Sequence, residues 1–168
     1  SLRALCATTP RSDARMLGAL TAGNRDEWAR ARKSLAEHSA TNSASLARID
    51  TALLVLVLDD GPAHSPAGSA EKSAEIHPEL ARAALCGPAG GRWYDKFQLL
   101  VTRGGEAGIN FEHSPIDGAQ LGYFLGTVVP AAEACAPPAA SANSTAKYEP
   151  PRELTWEIPP AVAAAAAS

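Results

Sequence analysis

Gly108-Ile-Asn-Phe-Glu-His113-Ser-Pro-Ile-Asp117-Gly118 is the stretch whose reading decides the fold. Phe97 to Val101 before it has the composition of a strand, and Arg103-Gly104-Gly105-Glu106 supplies a tight turn. The chain then reads as a second strand, Ala107 to Glu112, that runs straight into His113. Pro115 breaks the pattern, and a glycine-dotted helix is expected to start near Asp117. A histidine delivered by a strand is well placed for proton transfer, because the unperturbed pKa of imidazole lies near neutrality. The structural alternative is a histidine satisfied by backbone groups at a strand end.

The same residues carry a resemblance. His113-Ser-Pro-Ile-Asp117-Gly118 is similar to the His-x-x-x-Asp-Gly signature of coenzyme-A-dependent acyltransferases built like chloramphenicol acetyltransferase. Arg92-Trp93-Tyr94-Asp95-Lys96, Gln98-Leu99-Leu100-Val101 and Phe111-Glu112-His113-Ser114 together resemble the choline/carnitine acyltransferase family. Peptide-synthetase condensation domains usually carry a second histidine where this chain has Glu112. Asn24 to Ala29 and Leu154 to Ile158 resemble flanking segments of the same family, in the same order.

The resemblance implies an α/β fold, a mixed β-sheet with flanking helices of the chloramphenicol-acetyltransferase type, with the whole chain being part of one half of a two-domain enzyme. It implies transfer of an acyl group between coenzyme A and the hydroxyl of carnitine or choline, with His113 as general base and no acyl-enzyme. Acyl-coenzyme A is then a co-substrate, no bound cofactor or metal is expected, and the compartment is mitochondrion, peroxisome or cytosol. The family's coenzyme-A lysines and its Ser/Thr-rich oxyanion segment belong to the other half, and nothing here matches them. The piece alone is therefore expected to be inactive and to require the rest of its own chain. Gly91 departs from the family pattern, which usually has asparagine there. Two alternatives remain: a non-catalytic structural or interaction domain of the same fold, and another coenzyme-A- or carrier-dependent acyltransferase with the same motif.

Composition sets outer bounds. The chain's 168 residues are enough for one domain with a core. Its hydrophobic fraction of 46% is largely alanine and only 5% is aromatic, so burial must lean on a few strands and three tryptophans. A net charge of -3 with no basic cluster gives no reason to expect a nucleic-acid partner. Cys6, Cys86 and Cys135 are odd in number and far apart, which suits a reducing compartment better than a disulfide framework or a zinc site. Apolar runs such as Ala52–Leu58 are far below the ~20 residues a spanning helix needs, and no signal-peptide pattern is visible. Both ends read as interrupted, as in an internal piece.

Along the chain, Asn24 with Glu27 has capping-box spacing, and Trp28, Ala31 and Leu35 follow on one helical face. Ser43 or Ser45 is a candidate cap for a second helix holding Leu46 and Ile49. Thr51 to Leu58 has almost no polar break and reads as a strand buried on both faces. Residues 61–73 and 130–146 are rich in Gly, Pro, Ser and Ala and read as loops or linkers. Pro78 can open a short helix through Leu85. Leu121, Phe124, Leu125 and Val128 recur at helical spacing, predicting a helix from Asp117 to Val129 able to pack on the sheet. Arg152 to Ile158 alternates well enough for one more strand, ended by Pro159-Pro160.

Around His113 the candidate supporting residues are Asp117 and Gly118. Asp117 either orients the imidazole as a dyad partner or caps the following helix, where the macrodipole favours a carboxylate. Gly118 suggests close approach of helix and strand. Arg92, Asp95 and Lys96 are either substrate contacts or part of a structural loop with Trp93 and Tyr94 wedged in the core. Ser114 lacks a Gly-x-Ser-x-Gly elbow, so a serine hydrolase is rejected. His38, His64 and His77 have no carboxylate or cysteine at metal-ligand spacing, and Gly104-Gly105 is a hairpin turn without the Gly-Lys-Ser/Thr of a phosphate loop.

Overall fold

A computed structural model describes residues 13–59, 78–86, 91–102, 106–135 and 151–167. The order of elements is a 3-10 segment Asp13–Ala22, α1 Arg25–His38, α2 Ala40–Thr51, β1 Val55–Asp59, α3 Pro78–Cys86, β2 Gln98–Thr102, β3 Ala107–Asn110, α4 Gly118–Ala134 and α5 Pro160–Ala167. They fall into two compact units, Ser1–Glu112 with Thr155–Ser168, and His113–Leu154. His64 and His77, the loop 61–73 and the Gly104-Gly105 turn lie outside the described residues, as does most of 130–146.

In the first unit, α1 begins where Asn24 Oδ1 accepts the N–H groups of Asp26 and Glu27, at 2.9 and 3.3 Å. The cap of α2 is Ser39, whose Oγ accepts from Asn42 N. Neither Ser43 nor Ser45 caps it; their hydroxyls donate to Ala36 O and Thr155 O instead. The core joins Leu17, Trp28, Leu35, Leu46 and Val162, drawn from the 3-10 segment, α1, α2 and α5. Trp93 sits between Trp28, edge-on at 5.9 Å, and Trp156, stacked at 6.4 Å.

Three strands form a mixed sheet in the order β1-β2-β3. β1 runs parallel to β2 with Val57 opposite Leu100, and β3 runs antiparallel to β2 with Gly108 opposite Leu100. The face bearing Val57 and Leu100 packs with Ala84 of α3, and Asn110 Nδ2 donates to Ala84 O. The opposite face carries Leu56, Leu99 and Ile109 in cross-strand register. Leu56 there is 41% exposed, so β1 is not buried on both faces as its composition suggested. Unbroken hydrophobicity records the demand for cover on each side, and these residues supply it on one.

Two other expectations are corrected. Residues 151–159 form no strand. Their polar backbone is matched by side chains of α2: Asn42 Nδ2 donates to Glu157 O, and Asn42 Oδ1 accepts from Glu157 N. Helix α4 continues through Pro130 to Ala134, so the start of the expected 130–146 linker is helical. Pro130 removes one intrahelical donor, while the alanines after it are the strongest helix formers. Among the described residues no helix is long and apolar enough to cross a membrane.

Candidate active site

Strand β3 stops at Asn110, three residues short of His113. The last register pair of the ladder is Asn110 with Gln98, the first residue of β2. His113 stands on a turn that spans residues 113–115, and it is exposed. The histidine expected on a strand lies instead on the turn that leads to α4.

That start is firmly built. Asp117 has extended backbone, φ -103° and ψ 175°, and its Oδ1 accepts the N–H groups of Ala119 and Gln120 at 2.9 and 3.0 Å. Gln120 Oε1 accepts Asp117 N–H at 2.9 Å, completing a capping box. The Asp117 carboxylate is thus engaged with the helix terminus, the second of its two sequence-based roles. Among the described residues a Cβ placed at Gly118 would meet nothing within 4 Å. His113, Ser114 and Pro115 lie two to four residues before the Asp117 cap. An exposed imidazole on so short a tether can take a proton from a substrate hydroxyl or thiol laid against it.

Arg92-Trp93-Tyr94-Asp95-Lys96 is held differently, by long-range bonds within the first unit. Arg92 is 3% exposed, and its guanidinium donates to Asp59 Oδ2 at 2.8 Å. Trp28 Nε1 donates to Asp95 Oδ2 at 3.1 Å. Lys96 Nζ donates to Asp50 O at 2.9 Å, Tyr94 N to Thr21 Oγ1 at 2.7 Å, and Trp93 N to Gln98 Oε1 at 2.8 Å. These side chains tie β1, α1, α2, β2 and the 3-10 segment to one loop.

The partners of that loop were illegible singly. Asp59 reads as a residue that stops a strand, Gln98 as the edge of an apolar run, and Gly18 as one glycine among 13. Yet a Cβ on Gly18 would lie 2.1 Å from the carbonyl oxygen of Arg92, so only glycine lets the two backbones meet. Gly91 has φ +85°, in the left-handed region that glycine enters freely and asparagine enters more readily than other residues. His38 is exposed in the last turn of α1. Among the described residues no group of three or more His, Cys, Asp or Glu side chains could hold a metal ion.

Comparison with known proteins adds what geometry cannot. The model of the choline/carnitine O-acyltransferase family matches residues 2–168. The chain is 36% identical to mitochondrial carnitine O-palmitoyltransferase 2 of Bos taurus over 113 residues, 67% of this chain and 15% of that protein. It is 32% identical to choline O-acetyltransferase of Sus scrofa over 148 residues, 87% of this chain and 22% of that one. It is 31% identical to the muscle isoform of carnitine O-palmitoyltransferase 1 of Bos taurus over 156 residues, 89% and 20% respectively. The chain spans about a fifth of the length of these curated relatives. With the family model running from the second residue to the last, this chain belongs to the choline/carnitine O-acyltransferase family.

Proposed function

We propose that this chain supplies the proton-transferring part of an acyltransferase that moves an acyl group between coenzyme A and the hydroxyl of carnitine or choline. The observation that carries the reading is the His113-to-Gly118 segment in a member of this family, an exposed imidazole on a turn whose far end is pinned by the Asp117 capping box. His113 takes the proton from the attacking hydroxyl as its oxygen forms the new bond to the thioester carbonyl carbon. The carbon–sulfur bond then breaks and the proton passes to the departing thiolate. No bond to the enzyme is made, and acyl-coenzyme A enters as co-substrate. Such a base contributes about 10²–10⁴-fold in rate, with substrate positioning and oxyanion stabilisation adding the rest.

Asp117 and Gly118 hold the turn in this reading and do not touch the reacting atoms. Arg92, Trp93, Tyr94, Asp95 and Lys96 hold the scaffold. Coenzyme-A binding and oxyanion stabilisation fall to polypeptide outside these residues, which completes a fold like that of chloramphenicol acetyltransferase, so residues 1–168 alone turn over neither substrate. The test is His113→Ala in the full-length enzyme, assayed with acyl-coenzyme A and carnitine and, separately, choline. A fall of at least about 10²-fold in kcat with the fold intact is expected. Transfer that persists within about tenfold of wild type removes His113 as the base.

A further inference from the structure

Gln98 Nε2 and Asp95 Oδ1, two polar atoms of the loop that carries Trp93, are buried and have no hydrogen-bond partner among the described residues. Gln98 is 0% exposed. The backbone orients its carboxamide: Oε1 accepts Trp93 N–H at 2.8 Å, and the reversed amide would set two donors face to face. Nε2 is therefore the end of the amide that lacks a partner. Asp95 is fixed through its other oxygen, Oδ2, which accepts Trp28 Nε1–H at 3.1 Å and lies 3.8 Å from the Arg25 guanidinium. Lys96 N donates to Trp93 O at 3.0 Å, closing residues 93–96 into a turn, so carboxylate and carboxamide belong to one bend of the chain. A buried donor and a buried acceptor are costly to leave unmatched.

We propose that buried water, one molecule or a linked pair, binds within this loop, accepting a hydrogen bond from Gln98 Nε2 and donating one to Asp95 Oδ1. The two atoms together select the ligand. A cation would suit the Asp95 carboxylate but would face the positive N–H end of the Gln98 amide. An anion would suit the amide but would face the carboxylate. Water is neutral and small, and it donates and accepts at once, so it answers both. Buried waters typically make about three hydrogen bonds, chiefly to polar groups that nothing else satisfies. Placed here, water joins the first residue of β2 to the carboxylate that holds Trp28 of α1. It thereby extends the web around Trp93 to two atoms that no described side chain reaches. The inference stands apart from the role proposed for His113, since neither atom belongs to the turn at 113–115.

The test is a crystal structure of the full-length enzyme at a resolution that shows ordered water. Electron density for water at about 2.7–3.2 Å from Gln98 Nε2, and likewise from Asp95 Oδ1, is the expected result, whether one peak serves both atoms or two adjoining peaks do. Density at neither atom, density at only one, or a protein group bonded directly to either overturns the proposal. A second crystal soaked in rubidium chloride separates water from a cation. An anomalous peak at the site overturns the proposal, and no anomalous signal there is expected.

Discussion

Two short motifs sit in the same chain and are secured in opposite ways. Arg92-Trp93-Tyr94-Asp95-Lys96 is fixed by residues distant in sequence, with Asp59, Trp28, Asp50, Thr21 and Gln98 each contributing a bond. In His113-Ser-Pro-Ile-Asp117-Gly118 the Asp117 end is fixed by a helix cap closed within four residues. Burial follows the same division, Arg92 being 3% exposed while His113, Ser114 and Asp117 are exposed. A segment anchored from many directions is rigid but cannot reach a substrate. An exposed turn beside a capped helix start stays open to one.

The contrast breaks most visibly at the buried ion pair. Arg92→Met takes the guanidinium away from the Asp59 carboxylate, which is 12% exposed. Removing one member of such a pair costs about 3–5 kcal/mol. Native-state hydrogen exchange in the full-length protein should show the amides of α1 and β1 opening more easily by that amount, because the loop that ties them has lost its buried end. Arg92→Met combined with Asp59→Leu should recover part of the loss, since the buried pair itself is then replaced by two apolar groups. A single substitution that costs less than about 1 kcal/mol would mean that the pair is solvated like a surface one.

A smaller effect separates the two roles of Asp117. Asp117→Ala removes the acceptor for Ala119 and Gln120 N–H, and loss of a cap costs about 0.5–2 kcal/mol. Faster exchange should be confined to the first turn of α4, with α1 unaffected. Asp117→Asn keeps the capping oxygen and should keep both the helix and the activity. If asparagine preserved the first turn yet abolished acyl transfer, the carboxylate would be acting on the imidazole, and the short-range motif would be catalytic throughout.

What the residues alone disclosed divides along the same line. Local signals were legible: the Asn24 cap, the Trp28 face of α1, the Pro78 start of α3 and the Asp117 start of α4 all depend on neighbours a few residues away. Long-range matches were not. Asn42 bonds to Glu157 across 115 positions, and nothing in Thr155-Trp156-Glu157 distinguishes a segment tied by α2 from a strand with the same alternation. The end of β3 was misplaced as well, its last register pair being Asn110 with the first residue of β2. Hydrophobicity also misled in β1, where an apolar pattern calls for two covered faces and the described residues cover one. At the candidate site the motif was readable and its strand setting was not.

The smallest expected effect tests the long-range motif at its entrance. Gly91 has φ +85°, and among the described residues no atom lies within 4 Å of a placed Cβ, so the penalty expected for a side chain there is that of the backbone. Alanine in this region costs roughly 1–2 kcal/mol, because its Cβ crowds the neighbouring carbonyl. Asparagine tolerates the region better through local bonding by its short amide, so Gly91→Asn should cost less than Gly91→Ala. The α1 amides, linked to this loop through Trp28 and Asp95, should report the difference. Equal losses for both substitutions would show that the entrance needs glycine for something other than its dihedral angle. Gly91→Asn at no cost, with Gly91→Ala impaired, would show that the left-handed dihedral is the whole of the requirement at this position.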